Sequence, residues 1–426
     1  MWGKISNSDA DISAKKVRSD RAMPVCALLL ALMSLAFIYT SQSYNMDEIP
    51  LFAQFWFKQF LFFILGAGVY FAVSRIDYEK CFVYAQWIYI ASIVLLIPLV
   101  IKEYTAINIP FVQSRYNATR WLDFGFFSLQ PSEMAKIGTC IMVAAILARS
   151  KIGTVKQSLN VLLRIALVIF IPIVLIFLQP DLGSTLVFPP MAFAILYVSN
   201  LSKRFFVAAL AAFAVLIGAV AIDSVGYASF LQRTKMSAME SASKNAYGST
   251  HFSLPIKDYQ RNRILAFAAP EVVDPKGRGV MWNVKQSLIS IGSGGIFGKG
   301  LGEGTQAKLG YLPSSVAYND FIFAVLAEES GFVGGFAAIL LLGILILFCC
   351  LRAAQTARDR FGTYLCVGIA AMLATHVFIN VGMTLGVMPV TGLPLPMLSY
   401  GGSFVLTCSI LLGLVQSVYR HRQQFD

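Results

Sequence analysis

Asp320 lies where a long polar segment meets an apolar helix, and it is the first candidate for chemistry in this chain. The polar segment begins near Ile291 and contains seven glycines between 292 and 304, with Lys299 among them. Glycine lets backbone N–H groups approach a ligand closely, and a loop of this length is more often functional than idle. An aspartate directly before FIFAVLA could also cap the helix that follows. The sequence leaves both roles open for Asp320.

Three further ionisable residues could join Asp320. Glu133 and Lys136 are three residues apart at the start of an apolar span, so they can pair on one helix face. Charges at that depth normally face a protein interior or a wet cavity. Asp181 follows the end of another span. It could be an N-cap, or it could point into the same cavity as Glu133 and Lys136.

Arg261 and Arg263 stand close to Lys257 and Tyr259 in the run KDYQRNR. They could form a solvated face, or they could form a fork for phosphate oxygens. We call residues 291–304 the glycine segment. It has no Walker pattern, because Gly298-Lys299-Gly300 lacks both the spacing and the Ser/Thr. Nucleotide use is therefore not predicted.

Arg120 and Trp121 begin an aromatic stretch that also contains Phe124, Phe126 and Phe127. Such a stretch suits an interfacial re-entrant or amphipathic segment, and it is equally typical of an ordinary membrane-interface belt. The sequence does not decide between the two.

The composition indicates which elements must position these groups. Of 426 residues, 57% are hydrophobic and 13% are charged, and the mean hydropathy is +0.69, which is typical of a polytopic membrane protein. Strand periodicity is absent, so an outer-membrane barrel is not expected. We predict an all-α fold of ten transmembrane helices, each near the roughly 20 residues that crossing requires, with the sixth the shortest. They lie at about 24–42, 57–74, 82–101, 132–149, 162–178, 186–199, 204–223, 321–350, 363–388 and 398–418.

Lysine and arginine positions predict the orientation. Basic residues fall in the N-terminal tail, in alternate short loops and at the C-terminus, whereas 43–56, 179–185 and 389–397 have none. Both termini are then cytoplasmic, and the large loop between helices 7 and 8 faces outward. The predicted parts are a tail (1–23), one membrane domain (24–418) that includes the 224–320 loop, and a second tail (419–426). The net charge is +12, and the loop's eleven basic residues suggest an anionic partner on the outer side.

Two interruptions predict irregular backbone at membrane depth. The eighth span is about ten residues longer than crossing requires and contains Glu328, Glu329 and Gly331, so we expect a break near its glycines. Between the ninth and tenth spans, a proline- and glycine-rich run at 389–402 predicts a broken segment, which membranes tolerate only where it lines protein or water.

Other regions carry weaker signals. His376 is flanked by apolar residues and is expected to be a hydrogen-bonded core histidine rather than a ligand. Residues 232–252 are polar and without period, which predicts a flexible surface insertion. The seven cysteines lie in or beside spans, so neither a disulfide framework nor a metal cluster is expected.

Seven motifs occur in order along the chain and together resemble the SEDS (shape, elongation, division and sporulation) proteins of bacteria, over about residues 24–420. The DYQRNR box and the proline of GLPLP are more similar to the rod-shape RodA branch than to the division FtsW branch. The motifs are RWLDFG (120–125), QPSEMAK (130–136), QPDLGS (179–184), DYQRNR (258–263), SIGSGG (290–295), LPSSVAYNDFIFAVLAEESG (312–331) and GLPLPMLSYGGS (392–403).

This resemblance implies a ten-span peptidoglycan glycosyltransferase of the bacterial cytoplasmic (inner) membrane. Such an enzyme polymerises lipid II on the outer face and works with a class B penicillin-binding protein, a transpeptidase. The family's essential aspartate corresponds to Asp320, and its other motif residues correspond to Trp121, Glu133, Lys136 and Asp181.

The chain departs from the family next to that aspartate. Tyr318 and Asn319 stand where members commonly have His-Thr, in a run that is two residues longer. The polar surroundings of Asp320 can therefore differ, although the aspartate itself is kept.

The chemistry implied is general-base catalysis, in which Asp320 takes the proton of the acceptor sugar's 4-hydroxyl as its oxygen attacks the donor's anomeric carbon. The diphosphate leaving group would be stabilised by cations, with or without a divalent cation (Mg²⁺ or Mn²⁺). No metal site built from protein residues is predicted. The candidate cations are Arg261, Arg263, Lys299 and Lys136, and the rest of the predicted substrate-binding set is Arg120, Trp121, Glu133 and Asp181.

Other functions stay open. Broken helices and the buried charges Glu133, Lys136 and Asp181 would also suit a lipid II flippase, although a flippase needs alternating access and the polar groups are concentrated on one side. The chain could also be the division polymerase, or a scaffold that does not need Asp320. Expected partners are the transpeptidase, lipid II, membrane lipids and other elongation-complex proteins, but not nucleic acid.

Overall fold

The structure is a computed structural model of the chain. It describes residues 20–422 except 43–49, 106, 108, 116–117, 126, 251–253, 255 and 275–280. Most of the two predicted tails and Phe126 therefore lie outside the described residues.

The described part is mainly helical. In chain order its elements are α1 (Ala22–Thr40), a 3₁₀ turn (Leu51–Ala53), α2 (Phe55–Arg75), α3 (Glu79–Val83), α4 (Ala85–Tyr104), β1 (Val112–Arg115), β2 (Ala118–Asp123), β3 (Ser128–Leu129), α5 (Pro131–Arg149), α6 (Val155–Leu178), α7 (Leu182–Thr185), α8 (Phe188–Val198), α9 (Lys203–Thr234), α10 (Ala238–Lys244), α11 (Ala246–Thr250), α12 (Asp258–Ala268), α13 (Pro270–Val273), α14 (Trp282–Ser293), α15 (Thr305–Lys308), α16 (Ser314–Ala317), α17 (Ile322–Gly343), a π-helix (Ile344–Cys350), α18 (Leu351–Thr356), α19 (Arg360–Thr384) and α20 (Gly402–Arg420).

The prediction of a polytopic helical membrane protein is confirmed. Nine helices within the described ranges are long and apolar enough to cross a membrane, namely α1, α2, α4, α5, α6, α9, α17 with its continuation to Thr356, α19 and α20. The predicted sixth span is the short one. It consists of α7 and α8, within the 17-residue apolar stretch Leu182–Val198.

The most buried spans are α5, α19 and α20, and they form the centre of the bundle. The main hydrophobic core runs between them and includes Ile141, Leu365 and Leu412. By contrast, α9 is the least buried of the nine candidate spans.

A small antiparallel sheet contains part of the aromatic stretch, for which the sequence left a re-entrant or amphipathic segment and an interface belt open. Its strand order is β1-β2-β3, with Val112 opposite Leu122 and Leu122 opposite Leu129. These residues pack with Leu99 of α4 in a small separate core. Strands of two to six residues are too short to show a clear alternation, so no strand pattern could be detected here from the sequence.

The prediction of a flexible insertion at 232–252 is wrong for the residues that are described. The helix α9 continues to Thr234, beyond the predicted end at 223, and α10 and α11 follow it. Tyr227, Leu231 and Tyr247 form a buried cluster with Leu265 of α12. Short helices that bury only a few side chains leave no helical period to detect, which explains the error.

The break predicted in the eighth span is confirmed at Gly331, where φ is 67° and ψ is −164° within α17. Positive φ favours glycine, and Gly298 of the glycine segment packs against this kink. The N–H groups of Lys299 and Gly300 donate to the carbonyls of Glu328 and Glu329, both at 3.0 Å. The glycine segment thus closes on the broken helix backbone to backbone.

The second predicted interruption is also confirmed. No helix is present between Thr384, where α19 ends, and Gly402, where α20 begins. We call residues 385–401 the α19–α20 segment. It lies beside the turn that precedes α17, since Tyr400 N donates to Tyr318 O at 2.9 Å.

Candidate active site

Asp320 lies in the turn before α17, and its side chain does not cap that helix. The N-cap is Phe321, without a side-chain capping bond, and Phe321 O accepts from Ala324 N at 2.9 Å. Asp320 is half-buried. Its carboxylate lies beside Gly392 of the α19–α20 segment, where an added Cβ would be 3.4 Å from Asp320 Oδ2. The capping alternative for Asp320 is therefore wrong.

Two arginines reach the same place from different elements. Arg120 comes from β2 and donates to Pro180 O. Arg263 comes from α12, and its Nη1 lies 3.4 Å from Thr391 O. Both guanidinium groups interact electrostatically with Asp320. The site thus combines one carboxylate with two cations that are far apart in the sequence.

Asp181 supplies a second carboxylate and also caps a helix. Its Oδ1 accepts from Ser184 N at 3.2 Å at the start of α7, and its Oδ2 accepts from Ser184 Oγ at 2.7 Å. Gln130, the residue before α5, donates through Nε2 to Asp181 Oδ2 at 3.3 Å. The charge of Asp181 also acts on Asp320. The interpretation of Asp181 as a cap therefore holds, and its carboxylate also contributes negative charge near Asp320.

Burial raises the pKa of Asp320 to about 6. The positive charges of Arg263 and Arg120 lower this pKa, and the negative charge of Asp181 raises it. A general base works best when its pKa lies near the operating pH. At pH 7 Asp320 is mostly ionised and basic enough to accept a proton.

Lys136 and Glu133 form the ion pair that their spacing predicts. Lys136 Nζ lies 2.7 Å from Glu133 Oε1 and 3.1 Å from His376 Nε2, and all three residues are buried. His376 Nδ1 lies 3.1 Å from Pro394 O. Because a carbonyl only accepts, Nδ1 carries the proton and Nε2 accepts from Lys136. His376 is a hydrogen-bonded core histidine as expected, and this cluster joins α5 and α19 to the α19–α20 segment.

Comparison with known proteins identifies the family. The family described as "Cell cycle protein", which covers FtsW, RodA and SpoVE, matches residues 20–424. The chain belongs to this family. The resemblance to SEDS proteins is thereby confirmed over almost the whole chain.

Relatives in the FtsW/RodA/SpoVE family are similar along most of their length. The peptidoglycan glycosyltransferase MrdB of Escherichia coli K12 is 36% identical over 343 residues, which are 80% of each chain. The peptidoglycan glycosyltransferase RodA of Treponema pallidum is 31% identical over 438 residues, covering 92% of this chain and 95% of that one. A chain in a solved peptidoglycan synthase complex has a TM-score of 0.68 at 25% identity, covering 96% of this chain and 99% of that one.

Within this FtsW/RodA/SpoVE fold, Arg261 is not brought to Asp320. Its side chain is 0% exposed, with Nε 2.8 Å from Asp223 Oδ2, Nη1 3.0 Å from Asp258 Oδ1 and Nη2 2.8 Å from Leu254 O. These bonds tie α12 to α9 and leave no surface for a phosphate. The placement of Arg261 does not support its predicted substrate-binding role, because Asp223 of α9 and Asp258 of α12 already pair its charge.

Lys299 also belongs to another cluster. Its Nζ lies 2.5 Å from Glu328 Oε1 and 2.7 Å from Thr305 Oγ1, and its side chain is 25% exposed. The same Glu328 oxygen accepts from Thr305 N at 2.8 Å. Lys299 therefore fastens the glycine segment to α17, and these contacts do not connect it to Asp320.

Trp121 is half-buried on β2, opposite Gln113 of β1 in the sheet register. Side chains alternate along a strand, so Trp121 lies on the opposite face from Arg120. The structure thus separates the two neighbouring residues, and only Arg120 is placed at the Asp320 site.

Four residues without a predicted binding role complete the surroundings of Asp320. Thr391 O receives Arg263, and Gly392 lies against the carboxylate. Tyr259 OH donates to Pro180 O at 2.9 Å, the same carbonyl that Arg120 uses. Asn380 donates to the backbone of Asp320. The proline-rich run pointed to this segment, but nothing in the sequence marked these individual contacts.

Metal ligands are not clustered in the part of the chain that the structure describes. Among these residues, no group of three or more His, Cys, Asp or Glu side chains could hold a metal ion. All seven cysteines are free thiols in this structure.

Proposed function

We propose that this chain is a peptidoglycan glycosyltransferase that polymerises lipid II into glycan strands for cell elongation and rod shape. The observation that carries this proposal is one half-buried carboxylate, Asp320, which lies beside Gly392 and is acted on by the positive charges of Arg120 and Arg263. The relatives from E. coli and T. pallidum, both named peptidoglycan glycosyltransferases, support the same reaction class.

In the proposed reaction Asp320 is the general base. It takes the proton from the 4-hydroxyl of the acceptor sugar, and the hydroxyl oxygen forms a bond to the anomeric carbon of the donor. The bond between that carbon and the lipid diphosphate breaks, and the diphosphate leaves with the electron pair. General-base help of this kind contributes about 100- to 10,000-fold.

In this proposal Arg263 and Arg120 stabilise the diphosphate. Guanidinium groups bind phosphate oxygens through paired N–H donors, and charge that develops on a leaving group is stabilised most by donors that are already in position. The same two charges keep the pKa of Asp320 from rising further. The other charged residues have a supporting role. Asp181 caps α7, and the Glu133–Lys136 pair links α5 through His376 to the α19–α20 segment.

The protein is a multi-pass membrane protein, and we place both of its termini in the cytoplasm. The basic residues of the short loops support this orientation. It puts Asp320 and the large loop on the outer face of the cytoplasmic membrane, where an undecaprenyl-linked substrate is within reach from the lipid.

The proposed partner is a class B penicillin-binding protein that cross-links the new strands, with other elongation-complex proteins around it. A structurally similar chain is part of a peptidoglycan synthase complex. The exposed apolar surface of α9, α14 and the glycine segment offers room for such contacts, with Ile222, Leu288 and Phe297 among its exposed residues.

A divalent cation, Mg²⁺ or Mn²⁺, is a further proposal. Polymerisation in EDTA, followed by addition of Mg²⁺ or Mn²⁺, tests the requirement.

The function itself is tested with the purified protein and fluorescent lipid II, with and without its cognate transpeptidase. Glycan ladders support the polymerase. Translocation of lipid II across liposomes without any ladder supports the flippase instead. Rescue of rod shape, rather than of division, in a depleted bacterial strain separates the elongation role from the division role.

A further inference from the structure

Asn380 lies at the point where three parts of the site meet. It is on α19, and its side chain is 0% exposed. Its Nδ2 donates to Asp320 O at 2.9 Å and to Leu393 O at 2.7 Å. One side-chain amide therefore joins the turn before α17 to the α19–α20 segment.

The two carbonyls that Asn380 binds flank the carboxylate contact. Leu393 follows Gly392, the residue that lies against Asp320 Oδ2. On the other side, the first carbonyl to enter the hydrogen bonding of α17 is Phe321 O. The carbonyl of Asp320 precedes that helical bonding and receives its hydrogen bond from Asn380 instead. Asn380 thus holds the backbone of Asp320 itself and the backbone next to Gly392, which contacts the Asp320 carboxylate.

His376 repeats the same contact one turn earlier on α19. Its Nδ1 donates to Pro394 O, the carbonyl next to that of Leu393. Residues four apart lie on one helix face, so His376 and Asn380 hold two successive carbonyls of the α19–α20 segment. Only Asn380 also reaches Asp320.

The cost of this arrangement is visible at the other amide atom. Asn380 Oδ1 is buried and has no hydrogen-bond partner among the described residues. A buried polar atom without a partner is destabilising, so an apolar residue would suit the fold better if filling space were the only requirement. The two N–H bonds give the reason for an amide at this position.

We propose that Asn380 is a positioning residue for the glycosyl transfer, which locks the backbone of Asp320 to the α19–α20 segment and thereby fixes the direction of the catalytic carboxylate. This inference rests on the proposed function, in which Asp320 is the base. Asn380 itself does not touch the substrate.

Asn380→Ala removes both bonds, and Asn380→Asp keeps the shape but retains at most one donor. We expect both to lower kcat for lipid II polymerisation by about 10- to 100-fold, because small misplacements of catalytic groups cost that much. KM should change less than threefold. Because burial is the main cause of the high pKa of Asp320, the loosened carboxylate in Asn380→Ala gains water, and the acidic limb of the rate profile of this variant moves to lower pH.

Thr139→Val is the matched control. Thr139 is on α5 and equally buried, and its Oγ1 also lacks a hydrogen-bond partner in the described part of the chain. It forms no hydrogen bond with Asp320 or with the α19–α20 segment, all of which the structure describes. Its substitution should leave kcat, KM and the pH profile unchanged.

Amide hydrogen exchange gives a readout that does not depend on activity. In Asn380→Ala and Asn380→Asp, peptides that cover 385–401 should exchange faster than in the wild type, and in Thr139→Val they should not. If both Asn380 variants exchange at the wild-type rate, the proposal that Asn380 locks the backbone of Asp320 to the α19–α20 segment is overturned. Wild-type kcat in Asn380→Asp would also overturn it, since shape alone would then suffice. If Asp320→Asn polymerises like the wild type, the proposed function fails. The exchange data still decide whether Asn380 locks the backbone of Asp320 to the α19–α20 segment.

Discussion

Gly392 lies directly against the carboxylate of Asp320. A Cβ added at Gly392 would be 3.4 Å from Asp320 Oδ2, and the backbone there has φ +76°. Glycine at this position therefore has two roles. It allows a left-handed backbone, and it leaves the space in front of the carboxylate open.

Gly392→Ala should lower kcat by about 10- to 100-fold, since the added methyl group lies in van der Waals contact with Asp320 Oδ2 and restricts the approach of the acceptor hydroxyl to the carboxylate. Gly310→Ala is the control, because Gly310 has a similar φ of +70° but open space around its Cβ position. Polymerisation of lipid II by the two variants is compared after both have passed size-exclusion chromatography as single species. Equal losses would assign the effect to backbone strain and contradict the contact with Asp320.

The pH dependence of polymerisation should show the raised pKa of Asp320. The base is active when ionised, so kcat should fall tenfold for each pH unit below about pH 6. An ordinary aspartate would place this limb near pH 4. Arg263→Ala removes a positive charge that lowers the pKa, so the limb should move upward, by on the order of one pH unit. Arg233→Ala, at the exposed end of α9, should not move it. A limb near pH 4 in the wild type would contradict the account.

Arg261 should matter for stability more than for the chemistry. Arg261→Ala leaves Asp223 and Asp258 without their buried partner, and breaking a buried pair costs about 3–5 kcal/mol. Lys244→Ala breaks an exposed pair with Glu240, 2.7 Å long, which is worth about 0.5 kcal/mol or less. We therefore expect a large fall in the melting temperature for the first variant only. Thermal unfolding in detergent measures the melting temperatures of both variants. Similar melting temperatures would mean that the Arg261 ion pairs do not stabilise the packing of α12 against α9.

Gly331 should tolerate no side chain. A Cβ there would lie 2.3 Å from Gly298 N and 2.5 Å from Ile296 O, at φ +67°. Gly331→Ala should destabilise the protein by at least about 2 kcal/mol, through overpacking and strain. Gly343→Ala, in the same helix with nothing within 4 Å, should be neutral or stabilising by up to about 1 kcal/mol. Melting curves of the pair check this, and a stable Gly331→Ala would show that the kink does not need glycine.

Sequence patterns predicted the features that depend on local spacing. Hydropathy located the long spans, the i, i+3 spacing paired Glu133 with Lys136, and surplus length predicted the break that lies at Gly331. The proline-rich run also predicted the irregular α19–α20 segment. Each of these signals is contained within one stretch of chain.

Features that depend on distant parts of the chain could not be predicted in this way. Arg261 and Arg263 look alike in the sequence. Arg261 is buried where Asp223, 38 residues earlier, joins Asp258 in pairing its charge, whereas Arg263 meets Asp320. Asn380 and Leu393 are ordinary residues until the fold brings them to Asp320. The short strands β1–β3 carry too few residues for a period.

The most direct test of the account is lipid II polymerisation by Asp320→Asn, with and without the cognate transpeptidase. The amide keeps the shape of the side chain but cannot accept the proton, so we expect glycan ladders to disappear, with a rate loss of about 100-fold or more. Glu271→Gln, on the exposed surface of α13, should polymerise like the wild type. Ladders from a folded Asp320→Asn at more than a tenth of the wild-type rate would contradict the role of Asp320 as the base.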